Sequence, residues 1–131
     1  MSERTGELAS GWFEAWRTYD MEWLRHHLAP DFVHVSPFGR FDERDAYLAA
    51  VEPMARKSVA DLVIQEMFTH GDVAVVRYEN RTPNGVVEVC EWIRVAGDVI
   101  REIRAFYDSA AIRELLSPDE QASLDGSYGS A

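Results

Sequence analysis

The chain switches between two hydrophobic periods. Leu8, Trp12, Phe13, Trp16 and Tyr19 recur every three or four positions, which predicts an amphipathic helix over 5–19. Asp20 reads as the N-cap of a second, short helix, Met21–Leu28, that Pro30 ends. Phe32, His34 and Ser36 then alternate with Val33 and Val35 in a short strand broken by Pro37-Phe38-Gly39. Asp42 and Asp45 have the spacing of a capping pair. They are expected to start a helix carrying Tyr47, Leu48, Val51 and Met54, with a kink at Pro53.

From Val59 onward the period is two. Strands are predicted over 59–69, 73–80, 86–96 and 99–107, joined at His70-Gly71-Asp72, Pro83-Asn84-Gly85 and Ala96-Gly97-Asp98. Val59, Leu62, Ile64 and Met67 keep only a rough alternation, so the first of these strands is expected to carry a bulge. A short helix is expected over 109–116. Residues 1–116 read as one domain and 117–131, rich in Gly and Ser after Pro118, as a flexible tail. The fold class is therefore α+β, a curved and mostly antiparallel sheet packed against N-terminal helices.

One side chain breaks the pattern. On strand 86–96 one face holds Val87, Val89, Glu91, Ile93 and Val95, and the other holds Glu88, Cys90, Trp92 and Arg94. The first face is the more apolar and should meet the helices, which places Glu91 inside. On strand 73–80 the inward set is Ala74, Val76, Tyr78 and Asn80. On the last strand Arg101, Ile103, Ala105 and Tyr107 compete with Ile100, Glu102, Arg104 and Phe106, and alternation does not choose between them. The outer face mixes Arg77, Glu79, Glu88, Arg94 and Arg104 with Val75 and Trp92, which suggests covering by a second copy, a homodimer through the sheet.

Charge narrows the partners. With 13 Lys and Arg against 23 Asp and Glu the net charge is −10, the wrong sign for nucleic acid or an anionic membrane. No apolar run has spanning length, and the acidic first twenty residues do not resemble a secretion signal, so a cytoplasmic location is expected. The single cysteine, Cys90, gives no internal disulfide and no thiolate cluster. His26 and His27 sit at a helix end, where they suit the dipole, and His70 lies in a turn. No pair has metal-site spacing, so neither metal nor cofactor is expected.

The Tyr19-Asp20-Met21 helix break, the segment LAPDFVHVSPFG (Leu28–Gly39) and the segment VCEWIRVAGDVIREIRAFYD (Val89–Asp108) resemble the SnoaL-like branch of the NTF2-like superfamily over about residues 5–116. That branch is similar to polyketide cyclases, ketosteroid isomerases and limonene-epoxide hydrolases, and it implies a cone-shaped cup. The isomerase pattern implies a carboxylate base in an Asp-Pro-Phe-Gly-type segment, where this chain has Ser36-Pro37-Phe38-Gly39. Glu91 matches the isomerase's oxyanion-hole acid, and Trp12 stands at its tyrosine. Steroid isomerisation by that route is therefore not expected. The cyclases' aspartate and histidine find their nearest counterparts in His34, Glu91 and Asp108. The epoxide hydrolases' Asp-Arg-Asp, Tyr and Asn are echoed by Glu91, Arg101, Tyr78 and Asn80.

A carboxyl on an apolar stripe should be protonated or hydrogen-bonded, and a raised pKa suits a general acid or base. Glu91 is the expected proton carrier and His34 its partner base. Tyr78, Asn80, Ser36 and Arg101 are expected to contact substrate, and Trp12, Tyr107 and Phe38 to wall the pocket, with Trp16 and Met54 as core or lining. The expected function is cofactor-free acid–base catalysis, as an isomerase, cyclase or hydrolase, on a small hydrophobic oxygenated molecule. The alternatives are a non-catalytic ligand-binding or interaction domain on the same fold, with Glu91 and Asn80 as polar anchors, and association with larger assemblies through the sheet; for Glu91 itself the other reading is a structural pair with Arg101 or a helix residue.

Overall fold

The computed structural model describes residues 2–59 and 61–127. Helix α1 (Ser2–Thr18) turns into α2 (Met21–His27), and β1 (Leu28–Ser36) and β2 (Gly39–Phe41) follow. Helix α3 (Arg44–Val51) continues through one 3-10 turn, Glu52–Met54, into α4 (Ala55–Ser58). Four strands come next, β3 (Asp61–His70), β4 (Val73–Thr82), β5 (Gly85–Ala96) and β6 (Val99–Phe106), and then α5 (Ser109–Arg113) and α6 (Pro118–Ser127). The six strands form one sheet in the order β2-β1-β6-β5-β4-β3, antiparallel except where β1 runs parallel to β6. This is the α+β arrangement the period change predicts.

Helix α1 lies across β3, β4, β5 and β6. It buries Leu8, Ala9, Trp12, Phe13, Ala15 and Trp16, the stripe that its spacing implies. The Thr5 hydroxyl donates to the Gly71 carbonyl at 2.7 Å and so ties the helix to the β3–β4 turn. The helix stops at Tyr19, whose φ of +56° is left-handed and costs a non-glycine residue about 1 kcal/mol. The side chain is held there from both sides. Its hydroxyl donates to the Val59 carbonyl at 2.9 Å, and the Arg56 guanidinium lies 4.1 Å over the ring. Asp20 then caps α2 by accepting from the Trp23 amide at 3.0 Å, as its position predicts. The expected cap at Asp42 does not form. Glu43 holds the N-cap position of α3 without a side-chain bond, and Asp42 pairs instead with Arg40 at 2.6 Å.

Bulges in β3 and β6 set the phase of their strands, and β1 carries a further register shift between Leu28 and Val33. Gln65 is the extra residue in β3, between Ile64 opposite Tyr78 and Glu66 opposite Arg77. Arg101 is the extra residue in β6, between Ile100 opposite Val95 and Glu102 opposite Arg94. A bulge adds one residue to one strand, so the inward phase changes there. Ile100 and Ile103 are both fully buried although three apart, and Ala105 continues the second phase. The competition between the two alternating sets on β6 is resolved by taking part of each.

Within the C-terminal segment, Pro118–Ser127 is helical. Ser117 and Glu120 form a reciprocal capping box. The Glu120 amide donates to Ser117 Oγ at 3.2 Å, and the Ser117 amide donates to Glu120 Oε1 at 2.9 Å. Helix α6 starts from it and is fastened by Lys57, which donates to the same Glu120 oxygen at 2.7 Å, and by Gln121, which donates to the Arg113 and Leu116 carbonyls. Residues 128–131 of that segment lie outside the described residues.

Candidate functional site

Inward residues of β4 and β5 alternate as expected, so Glu91 faces the helices with only 4% of its surface exposed. Strand β5 is one of the two central strands, and Glu91 is flanked by Val76 on β4 and Ala105 on β6. The small Ala105 leaves space beside the carboxyl. That space opens into a cavity of about 130 Å³ between the sheet, α1 and the α3–α4 segment, with Ile112 and Leu116 at its C-terminal side.

The carboxyl is held by two donors. Trp12 Nε1 donates to Oε1 at 3.0 Å, and the Tyr78 hydroxyl donates to Oε2 at 2.7 Å. Burial raises the Glu91 pKa from 4.5 to about 7, against the opposing effect of the Tyr78 and Trp12 hydrogen bonds. The Tyr78 phenol is pushed well above its usual value, by burial first and then by the neighbouring Glu91 charge, so it stays a neutral donor. Glu91 can therefore take up or release a proton close to neutrality.

His34 comes from the inward phase of β1 and lines the same cavity. Its ring stacks on Tyr47 at 4.5 Å and lies 6.3 Å from Trp12, and its Nδ1 is buried without a hydrogen-bond partner. Burial lowers its pKa from 6.5 to about 3. The imidazole is thus neutral at physiological pH.

Other expected residues divide. Tyr78, Asn80, Trp12, Tyr107 and Phe38 all line the cavity, as do Trp16 and Met54. Asn80 is committed in part, since its Nδ2 donates to the Ser58 carbonyl at 2.6 Å. Arg101 does not reach the site. The bulge turns it outward, where it pairs with Asp31 at 2.9 Å. No Glu91–Arg101 pair forms, and the helix residue bonded to Glu91 is Trp12. Ser36 is buried but absent from the cavity wall, because its Oγ accepts from the Phe38 amide at 3.2 Å and shapes the β1–β2 turn. Asp108 caps α5 by accepting from the Ala110 amide at 3.0 Å. Sequence reasoning missed Tyr47 as the partner of His34, since at helical spacing it reads only as core. It also missed Ile112 and Leu116 as walls, although the short helix expected over 109–116 contains both.

This cup has counterparts among known proteins. The family described as the SnoaL-like domain matches residues 9–103. The chain belongs to that family. Solved structures share the SnoaL-like fold at low identity. A protein from Kribbella flavida is 24% identical with a TM-score of 0.74, the match covering 83% of this chain and 90% of that one. An LEH-like epoxide hydrolase of M. tuberculosis is 15% identical with a TM-score of 0.73, covering 88% and 90%. IdmH of Streptomyces antibioticus, a candidate polyketide cyclase, is 21% identical with a TM-score of 0.67, covering 85% and 96%. At these identities the likeness establishes the fold. No curated protein matches the chain in sequence. Among the described residues no helix is long and apolar enough to cross a membrane.

Proposed function

We propose that this SnoaL-like domain is a cofactor-free acid–base enzyme of isomerase, cyclase or hydrolase type, acting on a small hydrophobic oxygenated molecule. The observation that carries the reading is Glu91: a buried carboxyl, held by two donors, titrating near neutrality on the wall of an aromatic cavity. Isomerisation, cyclisation and dehydration each turn on a proton moved to or from the substrate. Glu91 accepts that proton as carboxylate and returns it as acid, while Trp12 and Tyr78 fix its orientation. His34, neutral, offers a polar contact to the substrate, and Asn80 lines the same wall beside Tyr78.

The test is proton exchange. In D2O, wild-type protein should speed α-proton exchange of cyclohexanone and related ketones, followed by proton NMR. Glu91→Gln should remove that acceleration by 100-fold or more, in line with the loss of a general acid–base. Equal exchange in both proteins, or none above buffer, would leave the ligand-binding alternative in its place. That alternative is favoured by one observation: both Glu91 oxygens already hold a protein hydrogen bond.

The homodimer belongs to the same proposal. Phe68, Phe106 and Val86 are more than half exposed and Trp92 is 39% exposed, and Phe68, Val75 and Trp92 form one cross-strand row on the outer face. An apolar row there, bordered by Arg77–Glu66 and Arg94–Glu102 ion pairs, suits a second copy of this acidic chain better than nucleic acid or membrane. The cytoplasmic location expected from the sequence is kept as part of this reading.

A further inference from the structure

We propose that residues 109–127 form a hinged lid over the cavity, with Ile112 and Leu116 as its plug and the Lys57–Glu120 ion pair as its latch. The proposal concerns how a guest reaches the cavity, and it stands whether or not Glu91 turns that guest over.

Attachment at one end comes first. Strand β6 ends at Phe106, and no described residue beyond it belongs to a strand. Tyr107 and Asp108 lead from the sheet into α5, so covalent attachment to the body lies at this side alone. The two helices beyond are tied to each other. Gln121 on α6 donates to the Arg113 carbonyl at 2.9 Å and to the Leu116 carbonyl at 3.1 Å, which makes α5 and α6 one piece.

The spacing of its apolar residues decides what the piece covers. Ile112 and Leu116 are four positions apart, share one side of the turn and are both buried. Both line the cavity, and Leu116 packs on Met54 with Phe38 beside them, two further wall residues. Swinging the piece away takes two side chains out of the wall and uncovers Met54. The result is an apolar mouth into the aromatic interior.

The fastening of α6 is polar. Among residues 117–123 none is buried, Glu120 and Gln121 being partly covered and the others exposed. A groove of about 480 Å³, lined by Phe41, Ala46, Ala49, Ala50 and Pro53, remains between α3 and α6, so α6 is not packed down onto its neighbour. The piece is held to the body by Arg113, whose guanidinium lies 4.8 Å over the Phe38 ring. It is also held by Lys57, which donates to Glu120 Oε1 at 2.7 Å from a side chain 56% exposed. Exposed ion pairs are weak and screened by salt. Segments with few buried contacts open locally while the rest of a domain stays folded. Such a latch keeps the lid shut most of the time and releases it without unfolding the sheet.

Alkylation of a thiol placed on the wall measures this access. In full-length protein carrying Cys90→Ser, which removes the exposed native thiol, Met54→Cys is treated with the neutral reagent iodoacetamide and followed by mass spectrometry. Lys57→Met cuts the latch and leaves the Ser117–Glu120 capping box in place. It should speed labelling about three-fold, the worth of one exposed ion pair. Raising NaCl from about 0.01 M to about 1 M should do the same to the protein that retains Lys57 and nothing to Lys57→Met. Amide hydrogen exchange of the otherwise unaltered protein gives a second reading that does not depend on Met54→Cys folding. The amides of Glu114, Leu115, Leu116 and Gln121, each bonded to a carbonyl within 109–127, should exchange together and faster than those of β4 and β5. Lys57→Met should speed that group alone. Labelling indifferent to both Lys57→Met and salt, or lid amides as well protected as the sheet, overturns the proposal. Labelling that rises only in step with exchange in β4 and β5 would mean global unfolding and overturns it equally.

Discussion

The indole N–H of Trp12 donates to Glu91 Oε1 at 3.0 Å, joining the first helix to a central strand across 79 positions of sequence. Hydrogen bonds to the carboxylate favour the charged form, and here they oppose burial. Trp12→Phe and Tyr78→Phe each delete one such bond while keeping a ring. Both should move the Glu91 pKa above 7 and shift any pH–rate profile that it controls to higher pH. A carbon-13 titration of the Glu91 carboxyl measures this, and a pKa that falls in either variant would refute the assignment.

Stability should show a plateau. Glu91 has its pKa raised from 4.5 to about 7 by folding, so the native state binds the extra proton between those values and loses stability as pH rises through them. His34 has its pKa lowered from 6.5 to about 3, so its contribution is complete above 6.5 and is lost as pH falls toward 3. Each slope is about 1.4 kcal/mol per pH unit at most, and the two oppose between 4.5 and 6.5. Urea unfolding should therefore give highest stability across that interval and a decline on both sides. In Glu91→Gln the alkaline decline should vanish while the acid one remains.

Packing between α1 and α2 makes a separate prediction. A Cβ placed on Gly11 would stand 2.3 Å from Cζ2 of Trp23, whose ring stacks on His27 at 4.1 Å. Gly11→Ala should cost about 1–3 kcal/mol by overpacking, even though alanine is the better helix former. Adding Trp23→Ala should return most of the loss contributed by the clash, which a double-mutant cycle in urea isolates. A Gly11→Ala protein as stable as the parent would show that the indole yields freely.

Self-association can be tested at Phe106, 60% exposed and opposite Cys90 on the outer face. Phe106→Glu should convert a dimer to a monomer in analytical ultracentrifugation and leave the Glu91 titration unchanged. A wild-type monomer at tens of micromolar would remove the homodimer from the reading.

The sheet and the burial of Glu91 were legible because alternation on β4 and β5 is unbroken, from Ala74 to Asn80 and from Val87 to Val95. Strand β6 was not, because a bulge leaves no mark on composition: Arg101 fits either phase until its neighbours on β5 and β1 fix the count. Ser36 and His34 share one face of β1, yet only His34 lines the cavity. Which short side chain turns back onto its own backbone depends on the turn beyond it. His34 shows a further limit. Its position could be read from the strand, but its pKa depends on burial beneath Tyr47, Phe32 and Trp12, which lie far apart in sequence. The closing helix α6 was overlooked for a different reason. Glycine and serine near the chain's end outweighed a capping box that was already present in Ser117 and Glu120.

The bond between Trp12 and Glu91 also makes the pocket visible to light. Of the four tryptophans, Trp92 lies on the outer sheet face and Trp23 on α2, while Trp12 and Trp16 stand edge to face at 5.7 Å inside the cup. With Trp92 and Trp23 replaced by Phe, the emission comes from that inner pair alone. A carboxylate forming at the indole nitrogen, or a guest displacing the surrounding space, then changes the colour and lifetime of the fluorescence, so occupancy can be followed in real time without attaching a dye.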